Sequence, residues 1–314
     1  MKQFLIHVNY NEYNSSEKKM NTTQLRLWVP ALMIISCMLL AMKADKPAYR
    51  IFTAKGHESN YSDLLSKARK ADVVFFGELH DNPICHWLEY ELACDLFKET
   101  GKNLILGAEM FETDNQLILD EYLSRKIAEK NFEAEAKLWP NYKTDYKPLI
   151  TFARDSVIAF VATNIPRRYA SLVNKKGFEG LESLNPEAKR LMAPLPIAYN
   201  PNLPGYKKMI ENIGEAGQEH VTENLPKAQA IKDATMAWSI LSHLIKGKVF
   251  LHFNGSYHSD NYEGIIWYLR LANPELRIVT ITSAEQADMN DLAKESEGVA
   301  DYILVTPESI TRTR

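Results

Sequence analysis

DVVFFGELHDNPICHWLEYELACDLFKETGKNLILGAEMF, residues 72–111, decides the fold. It opens on Asp72–Phe76, a short apolar run of β-branched and aromatic side chains closed by Gly77, which reads as a buried strand. Asn82-Pro83 follows. Asparagine caps the free amides of a helix, and proline suits the first helical position, where a missing N–H costs nothing. Apolar residues Ile84, Trp87, Leu88, Leu92 and Leu96 then recur at helical spacing until Gly101, and Leu104–Gly107 is a second apolar strand. Strand, helix and strand in that order are the signature of a mostly parallel α/β sheet.

Outward from this unit the alternation continues. Residues 113–138 are helical and charge-rich, 148–158 form a helix, and 159–163 form a third strand that ends at Asn164-Ile165-Pro166-Arg167. Residues 168–247 are helical or irregular, with a proline-rich loop at 193–206. The sheet resumes at Lys248–Phe253, turns through Asn254-Gly255 and enters a helix from about 261 to 272; Arg277–Ile281 and Tyr302–Val305 supply the last strands. The expected architecture is α/β: a mostly parallel sheet flanked by helices, with residues 112–147 and 168–247 as a helical cover subdomain over the carboxyl ends of the strands. There are no internal repeats.

The amino-terminal region, residues 1–44, has a different character. LWVPALMIISCMLLAM, residues 27–42, is an uncharged run behind Arg26 and reads as a secretory signal. It falls short of the ~20 residues of a membrane-spanning helix and contains Pro30. The polar stretch before Met20 fits no part of a signal, which makes Met20 an alternative start to Met1. Cleavage near Ala44 is preferred to lipidation at Cys37, because Ile34-Ile35-Ser36-Cys37 resembles a lipoprotein box but runs on into apolar Met38-Leu39-Leu40. The expected products are a periplasmic domain, residues 45–314, or a lipid-anchored form of it. Its remaining cysteines, Cys85 and Cys94, lie nine residues apart on one helix, on opposite sides of its axis, and cannot bridge each other.

The full chain carries a net charge of −3; residues 1–44 hold five basic and two acidic groups, so the remainder stands at −6. No basic block tracks a phosphate backbone, which argues against nucleic acid as a partner. Glycine-rich phosphate loops, a G-x-S-x-G elbow and H-E-x-x-H are all missing, which weakens nucleotide-dependent and serine-hydrolase readings.

In an open parallel sheet, ligands bind outside the carboxyl ends of the strands. Three strands here bring ionisable groups to that edge: Glu78 and His80 after the first, Glu109 after the second, and His252, Asn254, Tyr257 and His258 along the later one. Each has an ordinary structural alternative. A carboxylate at a strand end caps the next helix or pairs with lysine, and a histidine inside an apolar strand, such as His252, commonly packs in the core. His86, one turn into the helix, faces either the crevice or solvent. Arg167 follows a strand directly and is suited to gripping a carboxylate, while Gln229, Lys232, Asp233 and Met236 form either a polar rim or a solvated face. Imidazole and carboxylate together suit a transition metal, with His80, His258 and His252 as candidate ligands, and a lone imidazole suits haem iron. The set is equally that of a general base, a metal site or a haem pocket.

Six blocks in order, FFGELHDNPICHWLEYEL, GAEMF, W-P-x-Y with YKPLITFAR, VATNIPRR, QAIKDATMAWSI and NGSYHSDNYEGIIWYL, resemble the ChaN-like haem-binding family. The likeness runs from about Val73 to Val305, within the superfamily of Tiki-type proteases and erythromycin-esterase-like enzymes. It implies a non-enzymatic haem-binding role in iron acquisition at the bacterial envelope, with an outer-membrane uptake system as partner and haem stacked between two protomers. Glu78, His80, Glu109, Gly255 and His258 fall on the superfamily's functional positions. Tyrosine and histidine are the implied kinds of iron ligand; Tyr142, Tyr146, Tyr206 and Tyr257 are candidates for the former. The bulky His252-Phe253-Asn254 run departs from the pattern. The competing readings are a metal-dependent hydrolase using Mn, Co or Zn, with Glu78, His80, Glu109 and His258 as its catalytic set, and an envelope scaffold with a vestigial pocket.

Overall fold

A computed structural model describes residues 46–216 and 223–313. The expected signal, with Cys37, Ala44 and both candidate starts, lies outside the described residues. The chain divides into Met1–Pro47 and Ala48–Arg314, and the second unit carries the sheet and its helices.

In chain order this unit contains strands β1 (Arg50–Thr53) and β2 (Glu58–Ser59), helix α1 (Tyr61–Ala68), β3 (Val73–Glu78), α2 (Pro83–Thr100) and β4 (Leu104–Glu112). Helices α3 (Gln116–Leu123), α4 (Glu129–Glu135) and α5 (Lys147–Ser156) lead to β5 (Phe160–Asn164). Then come α6 (Arg167–Lys176), α7 (Pro186–Lys189), α8 (Pro204–Ala216), α9 (Leu225–His243), β6 (Val249–Gly255), α10 (Ile265–Ala272), β7 (Ile278–Gln286) and β8 (Tyr302–Pro307).

The strands form one sheet in the order β2-β1-β8-β7-β3-β6-β4-β5, parallel from β8 to β5. The fold is therefore α/β, as expected. β1 and β2 are antiparallel additions that the sequence reading lacks, because Arg50–Thr53 buries only Ile51 and Phe52 and is too short to show a period. β4 also runs on past Gly107, so that Glu109 sits within the strand, where pairing with β5 loses register between Ala108 and Glu112. Such an irregularity re-aims the side chains it contains.

Helices cover both faces of the sheet. Val74 and Phe76 of β3 pack with Leu88, Leu92 and Leu96 of α2 and with Leu119, Phe132 and Leu149 of α3 to α5. Val73 and Phe75, pointing the other way, pack with Met236 and Ile240 of α9 and Ile265 and Leu269 of α10. Asn82 caps α2 as the sequence predicts, accepting from the amides of Ile84 at 3.0 Å and Cys85 at 3.3 Å. Trp87 departs from its expected place on the buried stripe: it is half exposed, its ring edge-on to Tyr49. Cys85 and Cys94 are both free.

Topology fixes where the chain can bind something. From β3 the chain crosses on the α2 face to β4, while from β6, lodged between them, it crosses on the α10 face to β7. The adjacent strands β3 and β6 thus send their connections to opposite faces, leaving a crevice outside their carboxyl ends. Segments from both helical blocks, Lys137–Pro140 and the residues around Arg167 and Lys232, reach this edge.

Candidate functional site

Glu78 is the last residue of β3 and pairs in register with Gly255, the last of β6; Glu109 comes from β4 on the other side of β6. Gly255 is the point where the site closes. Its amide donates to Glu109 Oε2 at 2.8 Å, and a β-carbon there would lie 2.6 Å from His80 Nε2. Only glycine lets the His80 ring approach the strand so closely.

Two histidine–carboxylate pairs result. His80 Nδ1 lies 2.6 Å from Glu78 Oε1, which also accepts from Tyr146 Oη at 2.7 Å. His258 Nε2 lies 3.1 Å from Glu109 Oε1, and its Nδ1 lies 2.5 Å from Asp233 Oδ1, whose other oxygen accepts from Tyr206 Oη at 2.8 Å. The four residues expected to meet, Glu78, His80, Glu109 and His258, are thus gathered at one edge of the sheet.

Burial and pairing set the charges. Burial would raise Glu109, but the charge and hydrogen bond of His258 outweigh it and hold the carboxyl down at about 2. Burial likewise would lower His258, yet Glu109 and Asp233 push it up to about 9. An imidazolium is therefore held between carboxylates at neutral pH. Burial opposes ionisation of Glu78 as well, but the hydrogen bond of His80 and the nearby charge of His86 bring it below the usual carboxylate range. His80 is raised, Glu78 and Glu109 together outweighing its desolvation.

A cavity of about 600 Å³ opens over this edge. His80, Glu109 and His258 line it on the sheet side; Met110, Leu138, Trp139 and Ile165 supply apolar wall. Lys137, Arg167 and Lys232 add positive charge. Lys137 is paired with Glu112 at 3.0 Å and Asp114 at 3.4 Å, whereas among the described residues no ion pair engages Arg167 or Lys232. His80 is the histidine most open to the cavity, its side chain 40% exposed and set edge-on to Trp139 at 4.8 Å between ring centroids.

Four other candidates are placed elsewhere. His252 is fully buried on the α9 face, with Nε2 2.8 Å from Thr163 Oγ1 and Nδ1 3.0 Å from Asn254 Oδ1, and burial lowers it to about 4. With both nitrogens engaged in the core it is not a cavity ligand. Asn254 is equally internal: its amide donates to Gly255 O and Ser259 Oγ and so shapes the turn. Tyr257 projects outward and donates to Gly205 O, and His86 lies beneath the cavity, buried among Glu78, Glu89 and Asp145. The expected metal set of His80, His252 and His258 consequently does not assemble. Tyr142, Tyr146, Tyr206 and Tyr257 are likewise not among the cavity's lining residues.

Some functional residues escape the sequence reading. Trp139 and Leu138 come from a loop with no period to mark it, although the Trp-Pro pair is visible as a block. Asp233 reads equally as part of a solvated face but is 1% exposed and holds His258. The signal for Glu89 is its spacing, three residues after His86 on a helix.

A family model described as haem-binding uptake, Tiki superfamily, ChaN matches residues 64–269. Among solved structures, one described as cofacial haem binding to ChaN of Campylobacter jejuni aligns with a TM-score of 0.60 at 18% identity, covering 82% of this chain and 96% of that one. A mutant of the erythromycin esterase EreC, in its open conformation, aligns with a TM-score of 0.47 at 10% identity, over 84% of this chain and 98% of that one. Protein RETICULATA-RELATED 5, chloroplastic, of Arabidopsis thaliana is 27% identical over 124 residues, 38% of this chain and 17% of that protein's length.

Proposed function

The chain belongs to the ChaN family of haem-binding uptake proteins in the Tiki superfamily, and we propose that it binds haem in the cavity at the carboxyl ends of β3, β4 and β6. The observation that carries this reading is the make-up of the cavity. About 600 Å³ of space joins an apolar wall to a half-exposed imidazole and to two cations that form no ion pair within 4 Å among the described residues, Lys232 acting on Glu109 only at longer range. Those features match the three parts of haem: porphyrin face, iron and propionates. Met110, Leu138, Trp139 and Ile165 would flank the ring, Arg167 and Lys232 would receive propionates, and His80 is the imidazole placed to reach iron. Bound haem would supply the optical signature, through its porphyrin, and the cargo, its iron; the protein would supply shape, charge and exclusion of water.

The wider role follows as part of the same proposal: haem and iron acquisition at the bacterial envelope, after export to the periplasm or as a lipoprotein. Delivery would run through an outer-membrane uptake system, and a homodimer would form on haem binding. Titrating purified protein with haemin should give a saturable Soret band that weakens when Arg167 and Lys232 are both replaced by alanine. A correctly folded protein that gives no saturable band would refute the reading.

One observation favours a second reading. The two histidine–carboxylate pairs are joined through Gly255 and both imidazoles are raised, an arrangement suited to moving protons during hydrolysis. Hydrolysis of an ester or peptide lost on His80→Ala, in protein without haem, would support that class over the carrier.

A further inference from the structure

Glu78 uses its two oxygens differently. Oε1 lies within hydrogen-bond reach of His80 Nδ1 and Tyr146 Oη, at 2.6 and 2.7 Å. Oε2 is buried and has no hydrogen-bond partner, and the same holds for Oε1 of Glu89. Between these carboxylates lies His86, whose Nδ1 is 3.4 Å from Glu78 Oε2 and 3.2 Å from Glu89 Oε2. All three side chains are at least nine-tenths buried, at 1%, 5% and 0% exposure for Glu78, His86 and Glu89.

We infer that Glu78, His86 and Glu89 form a binding site for a single divalent first-row transition-metal ion, separate from the haem cavity. Their ligand atoms all lie within 4.8 Å of one another. An ion bound at about 2.1 Å from nitrogen and oxygen ligands sets neighbouring ligand atoms roughly 3 to 3.4 Å apart, the spacing seen around His86 Nδ1. The opposite face of the ring is prepared for this. His86 Nε2 is 3.2 Å from the His80 carbonyl and 3.4 Å from Asp145 Oδ2, acceptors that keep a proton on Nε2, so that the proton an ion would displace is the one on Nδ1, facing the carboxylates. Asp145 is itself held by Asn141 at 2.6 Å and Thr313 at 2.7 Å.

Among the described residues no lysine or arginine pairs with either acid; without an ion the positive charge comes from His86, which burial opposes but Glu78 and Glu89 push up to about 11, so a metal ion binds here by displacing the proton on Nδ1. One imidazole with two carboxylates suits zinc, manganese or ferrous iron, since calcium and magnesium prefer all-oxygen sets. The ion would tie the first turns of α2 to the end of β3. By fixing Glu78 it would also fix the partner of His80, and hence one wall of the cavity.

The test uses the full chain, stripped with chelator, loaded separately with zinc and manganese, desalted and analysed for metal. The wild type should retain a single ion. Glu89→Gln should lose it while keeping its far-ultraviolet circular dichroism, and Asp145→Asn should weaken it roughly tenfold or more. No retained metal in folded wild type would overturn the assignment. Equal retention by Glu89→Gln and His86→Gln would also overturn it, placing the ion elsewhere. Haemin titration of the same samples reads the cavity independently: protein that takes haemin but no metal refutes the ion site alone, and the reverse refutes the haem reading alone.

Discussion

Glu78 and Glu109 stand at the carboxyl ends of strands on either side of β6, both buried and both facing histidine, yet only one is complete. Glu109 has each oxygen satisfied, one by the Gly255 amide and the other by His258. Glu78 has one oxygen doubly bonded and the other bare. The difference teaches that the same residue type, at equivalent places in one sheet, can act as a finished structural ion pair or as a half-built coordination shell. What decides is the neighbouring helix: α9 brings Asp233 to close the first pair, while α2 brings a second carboxylate, Glu89, to the other.

The contrast breaks most visibly at the closed pair. Glu109→Ala removes one of the two carboxylates that hold the His258 imidazolium and strips the Gly255 amide of its acceptor, while Asp233 stays in place, so it should cost about 1.5–3 kcal/mol, measured by denaturant unfolding. A loss under about 1 kcal/mol would mean that His258 is neutral in the folded protein.

The same pair predicts a pH profile. The folded value of His258 lies above its ordinary 6.5, so its stabilisation is complete below that pH and disappears as the pH rises through about 9. Glu109 lies below its ordinary 4.5, so its share is complete above that pH and disappears as the pH falls through about 2. These two groups together give a plateau between 4.5 and 6.5, and the His258 share of the alkaline decline should be at most roughly 3 kcal/mol; His80 and His86, also raised, add to the same limb. His258→Gln should remove the part of the alkaline limb centred near 9 and leave the part due to His86.

The open pair should respond least. Burial beside Glu78 pushes Glu89 well above the usual carboxylate range, so in ion-free protein it is already a neutral acid. Glu89→Gln should then change stability by less than about 1 kcal/mol, a result that thermal unfolding of chelator-treated protein checks. A large destabilisation would show that Glu89 is charged without metal.

Much of this is legible in residues 72–111. A capped helix between two apolar runs fixes strand, crossover and strand, and strand ends fix where Glu78, Glu109 and His258 meet. Two things are not legible. Periodicity assigns a face but not a partner, so Asp233 reads as rim and His86 as undecided until α9 and the Asn141–Asp145 turn are in place. Short elements also carry too few residues to show a period, which hides β1 and β2. His252 shows the reverse case: its ordinary reading as a core histidine, set by the apolar strand around it, is the one the structure bears out over a ligand role.

The central claim is that haem sits at the carboxyl ends of β3, β4 and β6, and hydrogen exchange with and without haemin tests it most directly. Added haemin should slow amide exchange in 137–140, 164–167 and 255–258 while leaving β1, β2 and α8 unchanged. Protection confined to segments that do not line the cavity would contradict the account.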